Sequence, residues 1–183
     1  MADITPNAGD FVRPHKSPWG AFPTRSMKYS TGISSAVVRV GQLVVLDTGS
    51  TSFTDCIIPC ATSSNTLNPS AGTIVGFAAE NSTSQGNQTA QGTVVPVWEA
   101  NPLVEFRART RGGLLNSTIV GQPKELTRDS TMNIDLVDLK SASSLATPAK
   151  CVIVTGLIDN SGDSGGAVTF RFNTSSGFLA FFK

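Results

Sequence analysis

The sequence predicts an all-β fold of the sandwich or barrel type, and three observations support this prediction. Short apolar runs, broken by turn residues, follow one another at close spacing from Val37 onward. Ser, Thr, Gly and Asn are abundant, while Val, Ile and Phe supply much of the apolar content, a mixture that favours strands and turns over helices. Charged residues make up only 15% of the 183 residues, against about 25% in an average soluble protein.

The first 35 residues differ from the rest, and we predict that residues 1–35 form an extended N-terminal arm and residues 36–183 a compact β-rich body. The arm contains Pro6, Pro14, Pro18 and Pro23, which are too frequent for a helix or a central strand. Its cations outnumber its acids, and aromatic residues are interleaved with the cations. We therefore expect this arm to lie on a surface, either that of its own domain or that of a partner.

In the body, the predicted strands are 36–40, 42–47, 53–58, 73–79, 93–98, 103–109, 114–120, 132–139, 150–158, 167–172 and 177–182. One short helix is expected within 137–146. The stretch from Cys56 to Ala79 carries no charged side chain. It is interpreted either as a solvated connection or as a surface that lies against a neighbouring subunit.

Three arginines alternate along the strand predicted at 103–109 and just beyond it. In a strand, the side chains of Arg107, Arg109 and Arg111 all leave the same face. They form either a solvent-facing side of the sheet or a cationic stripe that meets an acidic or polar partner through bidentate guanidinium contacts.

The cysteines predict neither a disulfide framework nor a metal site. There are three, an odd number, and the single histidine, His15, is distant in sequence from the C-x3-C pair Cys56 and Cys60. We interpret all three as small buried hydrophobic residues of a protein in a reducing compartment, with a Cys56–Cys60 disulfide as the alternative. No metal and no cofactor is expected.

The charge balance and hydropathy exclude two classes of partner. The formal net charge is +1, whereas general nucleic-acid binding requires a strong basic excess. No apolar run approaches the 18 or so residues of a membrane span, and the N-terminus has no apolar core of a signal peptide. We expect no nucleic-acid partner and no membrane partner.

Residues 162–167, "GDSGGA", resemble the nucleophile motif of trypsin-like serine proteases, in which Ser164 would be the reactive group. Such a serine needs a positioned base, and His15 lies in a proline-rich segment ahead of every predicted strand. The same residues suit a hairpin loop, because Gly, Asn, Asp and Ser tolerate positive φ and form side-chain turns. We therefore expect that the protein is not an enzyme.

Three segments in the C-terminal part carry a resemblance to a known family: "GFAAENSTS", then "VPVWEANPLVEFRART", then "CVIVTGLIDNSGDSGGAVTFRF". In order and spacing, over about residues 74–183, they resemble the decoration (head-stabilising, or cement) proteins of tailed bacteriophages, most of all marine-phage forms. The resemblance implies a β-tulip or barrel fold without enzymatic activity. It also implies assembly in the host cytoplasm, location on the outer capsid surface of the virion, and the major capsid protein and further copies of the chain, as a trimer, as partners.

A decoration protein must hold several neighbouring subunits through many weak contacts, and an extended arm with aromatic anchors supplies them. The predicted capsid-docking residues are Phe11, Arg13, Lys16, Trp19, Phe22, Arg25, Tyr29, Arg107, Arg109 and Arg111. Two alternatives remain at this point. One is a β-sandwich module that binds a ligand such as a carbohydrate, or another virion-associated module, and the other is the trypsin-like protease.

Overall fold

The computed structural model of the chain describes residues 10–29, 38–48, 56–63, 66–70, 72–81, 94–140, 150–174 and 179–180. Within these ranges the regular structure consists of strands and one three-residue 3-10 helix, with no α-helix. The all-β prediction is confirmed. The strands are β1 Arg13–Lys16, β2 Thr24–Tyr29, β3 Leu43–Leu46, β4 Cys56–Pro59, β5 Thr62–Ser63, β6 Thr66–Leu67, β7 Ile74–Ala78, β8 Val94–Glu99, β9 Glu105–Arg111, β10 Pro123–Arg128, β11 Asp135–Asp138, β12 Val152–Leu157 and β13 Ala167–Phe172.

The strands form two sheets whose strands are interleaved along the chain. The first is a closed barrel in the order β2-β4-β3-β7-β8, in which β2 and β4 are parallel and the other pairs are antiparallel. The second is an eight-stranded sheet in the order β1-β9-β13-β12-β10-β6-β5. Its remaining strand, β11, pairs with both β10 and β9 and so closes strands β9 to β13 into a second ring.

Strands β3 and β7 are apolar along their whole length because both of their faces are covered. Val44 and Val75 point into the first barrel, where they pack with Tyr29 and other apolar residues. Their neighbours Leu43 and Phe77 point the opposite way and belong to the larger core shared with the second sheet. An unbroken apolar run is the expected pattern of a strand buried on both sides.

Four phenylalanine rings form the centre of the larger core. Phe77 from the first barrel contacts Phe106, Phe170 and Phe172 of the second sheet, with ring centroids 5.2, 6.0 and 5.4 Å away. All four residues are buried. Such aromatic pairs add about 0.5–1.5 kcal/mol each beyond their burial, so this cluster joins the two sheets into one packed unit.

A buried ion pair provides a second link between the sheets. Asp135 is 0% exposed, and its carboxylate accepts hydrogen bonds from Arg128 Nε at 2.7 Å and Arg128 Nη2 at 3.2 Å. The same carboxylate accepts the backbone N–H of Leu43 in the first barrel at 2.6 Å. Burial raises the pKa of the Asp135 carboxyl, while the Arg128 guanidinium and the Leu43 N–H oppose that rise.

The expectation of an arm set apart from the body is wrong for the described part of residues 1–35. Residues 13–16 form β1, the edge strand of the second sheet, and residues 24–29 form β2, a member of the first barrel. Pro14 is tolerated because an edge strand leaves one row of N–H groups unpaired. Residues 1–9 and 30–35 lie outside the described residues.

Several individual strand predictions need correction. Residues 114–120 do not form a strand: Ser117–Ile119 is the 3-10 helix, and the side chain of Asn116 caps it by accepting the Thr118 N–H. The described part of 36–40 has no strand either. Strand β10 was missed because only one of its residues is apolar. Of the helix expected within 137–146, residues 137 and 138 belong to β11 and the last six residues lie outside the described part.

Candidate functional site: a cationic face on the second sheet

The outer face of strands β1, β9 and β13 carries several cations among the described residues. Along β9, Phe106, Ala108 and Thr110 are buried, and the side chains between them point outward. The outward residues are Glu105, Arg107, Arg109 and Arg111. The prediction that the three arginines share one face is therefore confirmed. We call the outward side of these three strands the cationic face.

Strand β1 adds two more cations to this face. Arg13 is the direct cross-strand partner of Arg107, and Lys16 is the partner of Glu105. Because directly opposed residues of an antiparallel pair point to the same side of the sheet, the Arg13 and Arg107 side chains are neighbours. Two positive charges in this arrangement repel each other, so the pair destabilises the β1–β9 contact.

Two arginines on the face are neutralised by carboxylates. Arg109 Nη1 donates to Asp159 Oδ2 at 2.6 Å, and its Nε lies 3.3 Å from Asp10 Oδ2 without hydrogen-bond geometry. Arg171 Nη2 on β13 donates to Glu105 Oε1 at 3.0 Å. These contacts hold Arg109 and Arg171 in place.

The other cations of the face have no acidic partner within the described ranges. They are Arg13, Lys16, Arg107 and Arg111. The described part of the sheet therefore presents, on one side, four cations that form no ion pair with a described carboxylate.

A shallow depression lies within the cationic face. Its lining residues are Asp10, Phe11, Arg13, Arg107, Ala108, Arg109 and Ala167. Ala167 is the cross-strand partner of Arg109, and its short side chain leaves the space beside that guanidinium open. The depression brings together predicted docking residues from distant parts of the chain, since Phe11 and Arg13 precede β9 by more than ninety positions.

The loop between β12 and β13, which contains "GDSGGA", contacts the cationic face through Asp159. Asp159, which holds Arg109, also accepts the Ala167 N–H at 2.9 Å through the same Oδ2 oxygen. Gly162 and Gly165 have φ values of 98° and 68°, which favour glycine. Glycine at these two positions allows the chain to turn between β12 and β13.

Two residues of the protease hypothesis are placed by the fold. Ser164 forms an isolated antiparallel bridge with Leu114. The side chain of His15, on edge strand β1, has no hydrogen bond or ion pair to any described residue. The loop that contains Ser164 thus acts as a structural turn, and whether its hydroxyl is reactive stays a prediction to be tested.

The aromatic and basic residues predicted for docking in the β1–β2 region have different environments. Trp19 is 57% exposed in the turn between the two strands. Tyr29, in contrast, is 2% exposed in the core of the first barrel, and Phe22 packs against the larger core. Arg25 is paired with Glu99 at 2.9 Å. The prediction that Tyr29 anchors a partner is therefore wrong, because folding has already buried its ring. Phe22 is only partly buried, and its role in docking stays a prediction.

Sequence reasoning did not identify Asp10, Asp159 and Arg171 as members of this face. Asp10 was counted only as a charge of the arm, and Asp159 only as a turn residue. Arg171 could have been found from the alternation of "AVTFRF", which places it opposite to the apolar residues of β13. The two aspartates gave no such signal, because each reaches Arg109 only through the pairing of distant strands.

The three cysteine thiols lie inside the protein. All three cysteines are buried and free, as the sequence interpretation expected, and burial raises the pKa of the Cys60 thiol to about 12 and also raises that of Cys151. The described residues contain no cluster of His, Cys, Asp and Glu that could hold a metal ion. Among the same residues, no helix has the length and apolarity needed to cross a membrane.

Comparison with known proteins assigns no family to this chain. No protein-family description matches the sequence, and no curated protein matches it at a significant level. The interpretation of the cationic face therefore depends on its own geometry.

Proposed function

We propose that this protein is a structural decoration protein that binds the outer surface of a viral capsid through its cationic face. The observation that supports this proposal most directly is the exposed sheet surface on which Arg13, Lys16, Arg107 and Arg111 have no acidic partner among the described residues. Arginine and tryptophan are the residues most enriched at the energetic centres of protein interfaces. The capsid as partner is the implication of the segment order in the C-terminal part.

The shape of the site favours a macromolecular surface over a small substrate. Ligand pockets typically enclose about 300–1,000 Å³, whereas the depression here encloses about 10 Å³, roughly the room that one water molecule needs. The backbone of paired strands is already fixed by the sheet, so no backbone ordering is needed when a partner binds. A rigid sheet face thus replaces the mobile arm of the sequence interpretation as the proposed docking element.

The exposed Trp19 ring is the proposed apolar anchor beside the cations. It lies in the turn that directly follows β1, and β1 supplies Arg13 and Lys16. The neighbouring connection between β8 and β9 exposes Leu103 at 54%. The two connections run together between the sheets, because Lys16 pairs with Glu105 at one end and Pro23 C=O accepts the Glu99 N–H at the other. An exposed ring in the turn after a cationic strand supplies the residue types of an interface centre.

Co-sedimentation with expanded capsids that lack decoration tests this function. The protein should bind in a saturable, stoichiometric manner, and Trp19→Ala should weaken binding at least about tenfold. Val94→Ala is the matched control, because Val94 is an equally exposed apolar residue on the first barrel. Absence of binding by the unaltered chain would refute the proposal.

The resemblance also implies a trimer. Light scattering on the free protein tests it, because a trimer should have three times the mass of one chain.

A further inference from the structure

We infer that the depression between Arg13 and Arg107 is a carboxylate-binding site that receives an acidic side chain of the partner protein. The identity of the partner rests on the proposed function, whereas carboxylate binding by this site does not. An acidic side chain is thus the group on the partner's surface that the cationic face would recognise.

Like charges face each other across β1 and β9. Arg13 and Arg107 are directly opposed and line the same depression. Opposed like charges destabilise a strand pair, and an anion bound between them would convert this repulsion into two attractive contacts. The guanidinium fork matches the two oxygens of a carboxylate, which allows bidentate hydrogen bonding.

The second argument is the charge balance around the depression. Arg109 contributes a third guanidinium, and Asp10 and Asp159 contribute two carboxylates that approach it within 3.3 and 2.6 Å. Three positive charges and two negative charges leave one positive charge, which a single carboxylate would neutralise. Asp10 and Asp159 also fix Arg109, so the third guanidinium is rigid and does not swing away from the site.

The third argument distinguishes a carboxylate from a phosphate. A phosphate monoester carries about two negative charges near neutral pH, and the lining residue Asp10 would repel the excess charge. A nucleic-acid backbone presents a long row of phosphates, and binding it requires a strong basic excess. The chain as a whole has a formal net charge of only +1. A monoanionic side chain, Asp or Glu, fits the local balance best.

The depression is shallow, so a carboxylate would bind at its mouth. Arg13, Arg107 and Phe11 line the depression. A carboxylate there would lie between the two guanidinium groups, beside the apolar ring of Phe11.

NMR titration of the full chain with an acetylated hexaglutamate amide tests the inference. The Nε–H resonances of Arg13 and Arg107 should shift in a saturable manner, and the double variant Arg13→Gln/Arg107→Gln should bind about tenfold more weakly or worse. The control Arg39→Gln/Lys140→Gln removes the same charge from exposed positions that do not line the depression, and its affinity should stay within about twofold of the unaltered chain. Since the test variant removes a like-charge pair, its thermal midpoint should not fall, which confirms that it is folded.

Parallel titrations with inorganic phosphate and with oligothymidylate complete the test. Tighter binding of either probe than of hexaglutamate, or an equal loss of hexaglutamate binding in the control variant, would overturn the inference. Capsid co-sedimentation separates this outcome from that of the proposed function. If Arg13→Gln/Arg107→Gln binds capsids normally, the carboxylate site is refuted as the docking contact. If the unaltered chain binds hexaglutamate but no capsid, the decoration function fails and the carboxylate site stands.

Discussion

Substitution of Gly76 by alanine should break the contact between strands β7 and β8 of the first barrel. The residue has a φ of 154°, and a Cβ added to it would lie 1.9 Å from the backbone oxygen of Trp98 on β8. Real Cβ atoms essentially never approach another atom closer than 3.0 Å. Because the clashing atom belongs to the backbone of the neighbouring strand, rotation of a side chain cannot relieve the overlap.

The size of the effect follows from the hydrogen bonds on either side of Gly76. The Ala100 N–H donates to Val75 C=O, and the Ala79 N–H donates to Pro96 C=O, both at 2.8 Å. Separating the strands by enough to admit the methyl group stretches these bonds past the limit of about 3.5 Å. Each buried group left unpaired costs about 1–3 kcal/mol, and the unfavourable φ adds about 1–3 kcal/mol. The expected loss is about 4 kcal/mol or more, a large share of the 5–15 kcal/mol that stabilises a typical domain.

Urea unfolding, followed by tryptophan fluorescence and circular dichroism, measures this loss directly. Gly20→Ala is the matched control, because Gly20 also has a positive φ, 73°, but nothing lies within 4 Å of its added Cβ. The control should lose only the conformational term, about 1 kcal/mol. If the two variants were equally stable, the reasoning that the close approach of β7 and β8 requires glycine would be refuted.

Three further predictions concern the ion pair, the thiols and the glycine-rich loop. Arg128→Met leaves the buried Asp135 carboxyl unpaired and should cost about 3 kcal/mol at pH 8. The loss should be smaller at pH 5, because removing the Arg128 guanidinium, which lowers the Asp135 pKa, lets burial raise the folded-state pKa of the variant further above the unfolded value of about 3.9. Stability therefore falls as pH rises between the two values, and denaturant unfolding that shows the same loss at both pH values would contradict this. Burial and the pKa of about 12 for Cys60 predict that a thiol reagent modifies none of the three cysteines while the protein is folded and all three after unfolding. Any stoichiometric reaction of the folded protein would be evidence against a closed core. A fluorophosphonate probe should not label Ser164, and labelling that is lost in Ser164→Ala would restore the protease hypothesis.

The fold class was predictable because it depends on local features of the chain. Most of the predicted apolar runs coincide with strands, since short β-rich segments between turn residues leave few other structures open. Strand β10 was missed because Leu126 is its only apolar residue, so its sequence shows no alternation. The strand around Pro14 was missed because closely spaced prolines suggested an irregular segment, yet an edge strand tolerates proline. The strand around Met27 contains no proline and was missed because it was grouped with that proline-rich segment.

The cationic face was only partly predictable. Arg107, Arg109 and Arg111 could be assigned to one side of a strand, because the period of two in a strand is a local property. That Arg13 stands opposite Arg107, and that Asp10 and Asp159 neutralise Arg109, follows from contacts between residues 50 to nearly 100 positions apart. No local pattern records such contacts.

By itself, the sequence determined that the chain forms strands, where most of them lie, and which way the side chains of β9 alternate, because these properties arise from neighbouring residues. Only the tertiary structure decided that the N-terminal segment contributes one strand to each sheet. It also decided that Tyr29 is buried while Trp19 is exposed, and which arginines form no ion pair. The physical reason is that burial and charge pairing depend on which strands become neighbours in space. That choice is made by the packing of the whole chain around its two connected cores.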